Sequence, residues 1–253
     1  MGKLDGKVAI VTGASQGSGY GAALAMAREG ARVVLVSRAR SKLETVAREI
    51  EDAGGIAMVH AADVTDRAAM AAMVDATVAR FERIDGLVNA AQSPVIRTAP
   101  IAEISDEDVR ELWESGAVAT LALMRAVRPH MIAAGGGSIV NFGSGAVHNP
   151  QSYGVYAGVK AAIQAISRAA ALEWAKDGIR VNVVFPMSES PAADADFALE
   201  EGRGDMVAKA IPLGRMGNPV EDIGQPIAFL ASDESRFITG STFALDGGKS
   251  YLR

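Results

Sequence analysis

The chain has 253 residues, 49% of them hydrophobic, a formal net charge of −5 and a pI near 5.3, enough material for one large α/β domain with a substantial core. The acidic balance and the lack of any Lys/Arg run argue against nucleic acid or a basic membrane patch as partner. With no cysteine and with His60, His130 and His148 far apart, no disulfide framework, thiolate nucleophile or metal centre is expected.

The start, MGKLDGKVAI, lacks the basic-then-apolar build of a signal peptide, and no run reaches the roughly 18 apolar residues of a bilayer span, so the expected location is the cytoplasm. KVAIVT (7–12) is the first of six short apolar, β-branched runs; RVVLVS (32–37), IAMVHA (56–61), IDGLVN (84–89), SIVNFG (138–143) and IRVNVVFP (179–186) follow. Such runs are too apolar for strands with one wet face and read as strands covered on both sides. Helix-length stretches at 18–29, 41–53, 66–82, 105–134 and 153–177 lie between them. Sustained strand–helix alternation predicts a parallel, doubly wound sheet, with ligands at the carboxyl ends of its strands.

Between the first strand and its helix stands TGASQGSGYG, with Gly13, Gly17 and Gly19. Glycines there permit a tight turn, let backbone approach a phosphate and leave helix N–H groups free to bind it, so a pyrophosphate is the expected guest. A glycine pattern alone is weak in a chain holding 27 of them, but the strand–turn–helix context strengthens it. The second strand ends at Ser37, followed by Arg38. In this topology a carboxylate there accepts from a ribose 2′-hydroxyl, whereas a guanidinium pairs with a 2′-phosphate, so NADP is expected rather than NAD. Arg38 as an ordinary surface arginine is the competing reading. Gln16 in the loop supplies no second cation. Asp63, after the third strand, could accept from an adenine amino group or simply cap a helix. Tyr156 and Lys160, four residues apart, would share a helix face, and this spacing by itself does not separate a proton-transfer pair from two neighbours on a helix.

Taken together, TGASQGSG, Asp63-Val64, LVNAA (87–91), GSIVNFGS (137–144), Tyr156-x-x-x-Lys160, IRVNVVFP and the closing stretch IPLGRMGNPVEDIGQPIAFLASDESRFITGSTFALDGG resemble the short-chain dehydrogenase/reductase family over almost the whole chain. The resemblance implies one Rossmann-type domain over 1–253, a doubly wound parallel sheet of about seven strands with helices on both faces, STFALD as its last strand and a substrate lid at roughly 187–212. It implies hydride transfer between a nicotinamide and a ketone or secondary alcohol. Ser144, Tyr156 and Lys160 would be catalytic: the serine hydrogen-bonded to the substrate oxygen, the tyrosine its proton donor and acceptor, the lysine on the nicotinamide ribose and lowering the tyrosine pKa. Gly13, Ser15, Gln16, Gly17, Ser18, Gly19, Ser37, Arg38, Asp63, Val64, Asn89, Tyr156, Lys160 and Pro186 would bind the cofactor. A free phenol titrates near pKa ~10, so exchange at neutral pH asks for a drop of ~2–3 units, about 3–4 kcal/mol.

Tyr153 lies seven residues before Lys160, an interval that resembles the enoyl reductases of the same superfamily, so C=C reduction is the alternative reaction. Four departures from the family pattern bear on a third reading, a dinucleotide binder with weakened catalysis. Gln92 replaces the glycine of Asn-Asn-Ala-Gly; Gly116 stands where the family carries an asparagine that holds a relay water; Met187 replaces the glycine of Pro-Gly; and Pro191 stands where a threonine is usual. A backbone group or an extra water at Gly116 is the expected substitute for the missing amide. The acidic, Ala-rich lid carries no clear substrate code. The segment AAIQAISRAAALEWAKDG is apolar on more than one face, so a second protomer is expected to cover it, most simply in a homotetramer, with a dimer as the alternative.

Overall fold

A computed structural model describes residues 2–93, 99–151, 153–191, 193–194, 198 and 202–250. Seven parallel strands form one sheet in the order β3-β2-β1-β4-β5-β6-β7. They are β1 (Val8–Thr12), β2 (Arg32–Ser37), β3 (Ile56–Ala61), β4 (Gly86–Asn89), β5 (Gly137–Phe142), β6 (Ile179–Pro186) and β7 (Thr242–Leu245). All six runs read from the sequence, and the seventh implied by resemblance, are strands within a residue or two.

The strand order reverses direction between β1 and β4, because β1 pairs with both β2 and β4. The chain runs outward in one direction to β3, then returns to β4 and runs outward in the other. This switch opens a crevice at the carboxyl ends of β1 and β4, the place where an open α/β sheet receives a ligand. Alternate residues of the fully buried strands face opposite ways and build two cores. Ala9, Val11, Val33 and Leu35 pack with α1 (Gly17–Arg28) and α2 (Arg40–Asp52) on one face. Val8, Ile10, Val34 and Val36 pack on the other with Met73 of α3 (Arg67–Phe81) and Met124 of the helix after β4.

The stretch expected to be one helix over 105–134 is divided. α4 (Asp106–Trp113), capped by the Ser105 hydroxyl accepting from Asp108 N, passes through a π turn at Glu114–Val118 into α5 (Ala119–Ala133). The π turn adds a residue to one turn of helix, a distortion that tends to mark functional sites. α6 (Gly154–Trp174) follows β5 and carries both candidate catalytic residues on its first two turns. After β6 come α7 (Arg203–Lys209) and, beyond a second π turn at Pro219–Gly224, α8 (Gln225–Ala231). The lid expected at 187–212 lies partly outside the described residues.

The closing motif has a physical task. Asn218 begins the second π turn with its Oδ1 accepting from Val220 N and Glu221 N, and Arg215 and Asn218 N hold Asp222. A Cβ on Gly21 would collide with the Pro219 carbonyl, and one on Gly224 with the Gly21 carbonyl. The two backbones meet without side chains, which seats the helix that follows the glycine-rich turn.

Candidate active site

The glycine-rich turn has the form a phosphate-binding loop needs. Gly13 (φ 68°) and Gly17 (φ 58°) adopt left-handed backbone that glycine tolerates best. A Cβ on Gly19 would collide with the Gly13 carbonyl, so the loop closes tightly on the first turn of α1. Gln16 occupies the N-cap of α1 without closing it with its side chain. Thr12 pins the far side: its Oγ1 accepts from Ala90 N and Ala91 N, both at 3.1 Å, tying the ends of β1 and β4 together across the crevice. Ser18 and Ser188 share a hydroxyl hydrogen bond of 2.7 Å, and Ser190 Cβ lies 3.0 Å from where Gly17 would carry a Cβ. The segment after Pro186 is therefore latched onto the loop. Thr12, Ser188 and Ser190 were not legible as site residues, because what places them is contact between segments far apart in the chain.

At the outer end of the crevice Ser37 closes β2 with its hydroxyl buried and without a hydrogen-bond partner among the described residues. Arg38 beside it is largely exposed and lies 3.7 Å from Asp63, a screened pair. Asp63 Oδ1 accepts from both the backbone and the hydroxyl of Thr65. Partial burial pushes its carboxyl up, but these hydrogen bonds and the Arg38 charge outweigh it and hold the pKa below the ordinary value. Asp63 does not cap α3; Asp66 does, accepting from Ala69 N. Val64 packs against the core below. The structure adds a cation that the loop itself lacks: Lys42 Nζ, from the first turn of α2, donates to Gln16 Oε1 at 2.9 Å. Ser15, preceding Gln16, is half-buried. Asn89 turns its amide into the sheet, donating to Asn141 Oδ1 at 2.8 Å, while Asn141 donates to Ser167 Oγ at 2.8 Å. It thus braces the ends of β4 and β5 against α6. Pro186 ends β6 in register with Leu245.

The catalytic candidates converge at the end of β5. Ser144 is extended and starts a short 3-10 turn, its Oγ accepting from Ala146 N at 3.1 Å. Tyr156, half-buried on α6, faces the Ser144 hydroxyl; Tyr153 stands beside it with ring centroids 6.5 Å apart. Lys160 is buried, with Nζ donating to the Phe142 carbonyl at 2.8 Å and standing 5.6 Å from the Tyr156 ring centroid. One feature departs from expectation. Desolvation pushes the Tyr156 phenol up, the Ser144 hydrogen bond pulls it down, and Tyr153 adds to the rise, leaving the pKa above its ordinary value. Burial lowers Lys160 to about 7, so near neutrality much of its ammonium charge is lost and it is a weak partner for phenolate. The electrostatic help expected from the lysine is thus offset by the desolvation that both groups share.

Three of the four departures in the sequence have defined surroundings. Met187 continues from β6, its N–H donating to the Leu245 carbonyl, and lines a cavity of about 510 Å³ with Leu213, Arg215 and Asp222. Ser144, Tyr156 and Lys160 do not line that cavity. Gln92 Nε2 lies 3.3 Å from where Gly116 would carry a Cβ.

Among the described residues no group of three or more His, Asp or Glu side chains could hold a metal, and no helix is long and apolar enough to cross a membrane. The residues of the crevice fit a nicotinamide dinucleotide on structural grounds: a glycine cradle that a Cβ would fill, and a buried, unpartnered Ser37 hydroxyl at the ribose end.

A family model described as enoyl-(acyl carrier protein) reductase matches residues 13–250. An oxidoreductase of Methylorubrum extorquens is 41% identical over 98% of this chain and 99% of its own. A D-threitol dehydrogenase of Mycolicibacterium smegmatis is 37% identical, covering 97% of this chain and 94% of its own. A solved 7α-hydroxysteroid dehydrogenase, in complex with NADH and 7-oxo glycochenodeoxycholic acid, superimposes with a TM-score of 0.90 at 29% identity, covering 98% of this chain and 96% of that one.

Proposed function

The chain belongs to the short-chain dehydrogenase/reductase family of oxidoreductases, and from that premise we propose that it is an NADP-dependent enzyme moving hydride reversibly between nicotinamide and a ketone or secondary alcohol, with Tyr156 as the general acid and base. The observation that carries the reading is the Ser144 hydroxyl acting on the Tyr156 phenol beside a buried Lys160, three groups from two elements meeting at the carboxyl edge of the sheet. The nicotinamide supplies or accepts the hydride when bound. Ser144 orients the substrate oxygen toward the phenol, Tyr156 gives that oxygen a proton in reduction or takes one in oxidation, and Lys160 holds the nicotinamide ribose and returns the proton to Tyr156. The desolvation that raises Tyr156 favours the protonated phenol, the form that reduction requires.

Gly13, Ser15, Gln16, Gly17, Ser18 and Gly19 hold the pyrophosphate, Asp63 and Val64 face the adenine, and Asn89 and Pro186 frame the nicotinamide. Preference for NADP rests on Arg38, which follows Ser37 and its unpartnered hydroxyl, and on Lys42, which bonds Gln16 of the loop. Arg38 gives up its weak, exposed contact with Asp63 at little cost. The whole chain, 1–253, acts as one dinucleotide-binding and catalytic domain with a lid at roughly 187–212, and its place is the cytoplasm. It assembles as a homotetramer: Leu172 on α6 is 76% exposed, and Trp113, Val118 and Ile132 are further apolar side chains left uncovered in one protomer. Light scattering at micromolar protein tests this, a monomer being the result against it.

Enoyl reduction is favoured by Tyr153, close enough to share the site. Against it, the Ser144 hydroxyl acts on the Tyr156 phenol. NADPH and NADH consumption with a panel of ketones and enoyl thioesters, repeated with Tyr156→Phe and Tyr153→Phe, tests the reading. We expect ketone reduction faster with NADPH, lost in Tyr156→Phe and retained in Tyr153→Phe. Reduction of C=C that depends on Tyr153 would replace this reading, and NADPH binding without any turnover would mark a weakened site.

A further inference from the structure

Ser144 sits between two glycines, and neither Gly143 nor Gly145 has the left-handed φ that favours glycine. What both lack is room. A Cβ on Gly143 would lie 2.4 Å from Phe185 Cε1, and one on Gly145 would lie 1.9 Å from Ser250 Oγ and 3.1 Å from Ser250 Cβ. The loop that carries Ser144 is thus gripped on one side by β6 and on the other by the turn that follows β7. The β6 side is rigid: Phe185 is fully buried, and Gly143 N donates to the Val184 carbonyl at 2.9 Å.

The other side depends on a turn built for the purpose. Gly247 (φ 64°) and Gly248 (φ 90°) bend the chain after β7, and Asp246, 5% exposed, fills the bend. Its Oδ1 accepts from Gly248 N at 3.0 Å and its Oδ2 from Ser250 N at 2.8 Å, charge-assisted bonds that fix the backbone of Ser250. Leu213 N donates to the Gly247 carbonyl and Lys249 Nζ to the Ala210 carbonyl, tying the turn from outside. Burying a carboxylate is costly, and a chain that merely ran on from its last strand would need none here. With its backbone held, Ser250 can swing its hydroxyl away from Gly145 but not its Cβ. Gly145 in turn leads into Ala146, whose N–H donates to Ser144 Oγ at 3.1 Å.

We propose that Ser250 is a positioning residue for Ser144: seated by the buried Asp246 carboxylate, it bears on Gly145 and fixes the loop that aims the serine hydroxyl. The effect on turnover rests on the role given above to Ser144, whereas the fixing of the loop does not.

The main variant is Asp246→Asn, which keeps the volume but turns one of the two acceptors into a donor. Hydrogen exchange of the full chain, read by mass spectrometry, should quicken by about tenfold over residues 144–148 and stay unchanged in β5. With a ketone that the wild type reduces, kcat should fall by about tenfold while the KM for NADPH stays within about twofold. In a Ser144→Ala background the same substitution should cost less than about twofold, because its target is gone. Unchanged exchange in the folded variant overturns the proposal, and so does an equal loss in both backgrounds, which would mean that the turn acts elsewhere. A packing swap supplies a second route should Asp246→Asn fail to fold: Gly145→Ala should lower kcat by about threefold or more, and adding Ser250→Gly, which clears the space, should restore most of it. Wild-type kcat in Gly145→Ala, or no recovery in the double variant, overturns the proposal as well. If Ser144→Ala were fully active while exchange over 144–148 rose as expected, the catalytic reading would fall and the clamp on the loop would stand.

Discussion

The two ends of the crevice use opposite electrostatics. At the β2 end the charged groups are wet: Arg38 is 65% exposed at its side chain, Asp63 40%, and Lys42 bonds Gln16 in an exposed contact. At the β5 end Lys160 is 5% exposed and its pKa falls to about 7. Charges in water are cheap to place and weak in effect, so they suit discrimination between cofactors that differ by one phosphate. Groups taken out of water cost stability and titrate near working pH, which is what proton transfer needs. The fold puts both on the carboxyl edge of one sheet and varies only their depth.

The sharpest way to break this contrast is at the buried end. Tyr156→Phe should lower kcat for ketone reduction by about 10³-fold, roughly 4 kcal/mol, with NADPH affinity nearly unchanged by fluorescence titration. A loss under tenfold would move the proton donor elsewhere. Lys160→Met tests the cost of depth. Folded Lys160 titrates near 7 and unfolded lysine near 10.5, so below pH 7 both states are charged and the burial penalty is complete. As pH rises from about 7 towards 10.5 the folded group is neutral while the unfolded one still binds a proton, and stability increases. Urea melts should therefore show wild-type stability gaining about 2–3 kcal/mol relative to Lys160→Met between pH 7 and 9. Parallel curves for the two proteins would mean that the lysine stays solvated.

At the wet end the effects should be smaller and should fade with salt. Arg38→Ala with Lys42→Ala is expected to raise the KM for NADPH by roughly tenfold to fiftyfold, leave that for NADH within about twofold, and lose most of the difference at high ionic strength. Equal weakening of both cofactors would remove the basis for NADP preference. Asp63→Asn, which frees Arg38 from its partner, should change the KM for either cofactor by less than about threefold. A larger change would mean that Asp63 binds the adenine strongly.

Much of this was written in local sequence. The apolar runs announced every strand from β1 to β6, because strands largely or wholly buried carry few polar positions, although β3 at the sheet edge is only partly covered, and the glycines announced the turn, because Gly13 and Gly17 take left-handed backbone and a Cβ on Gly19 would strike the Gly13 carbonyl. Tyr156 and Lys160 were legible through helical spacing combined with resemblance. Distance along the chain hid the rest. Lys42 meets Gln16 across 26 positions, Thr12 meets Ala90 across 78, and Ser18 meets Ser188 across 170.

What the sequence determined by itself is the order of strands and helices and the residue types brought to the sheet edge, since periodicity and backbone preference act over a few neighbours. The tertiary structure alone decided how deep each group lies: that Lys160 loses much of its charge, that Tyr156 is pushed up rather than down, and that the amide of Gln92 stands beside the bare position at Gly116. Depth is set by packing between distant segments, and it is depth, through desolvation, that fixes the strength of a charge.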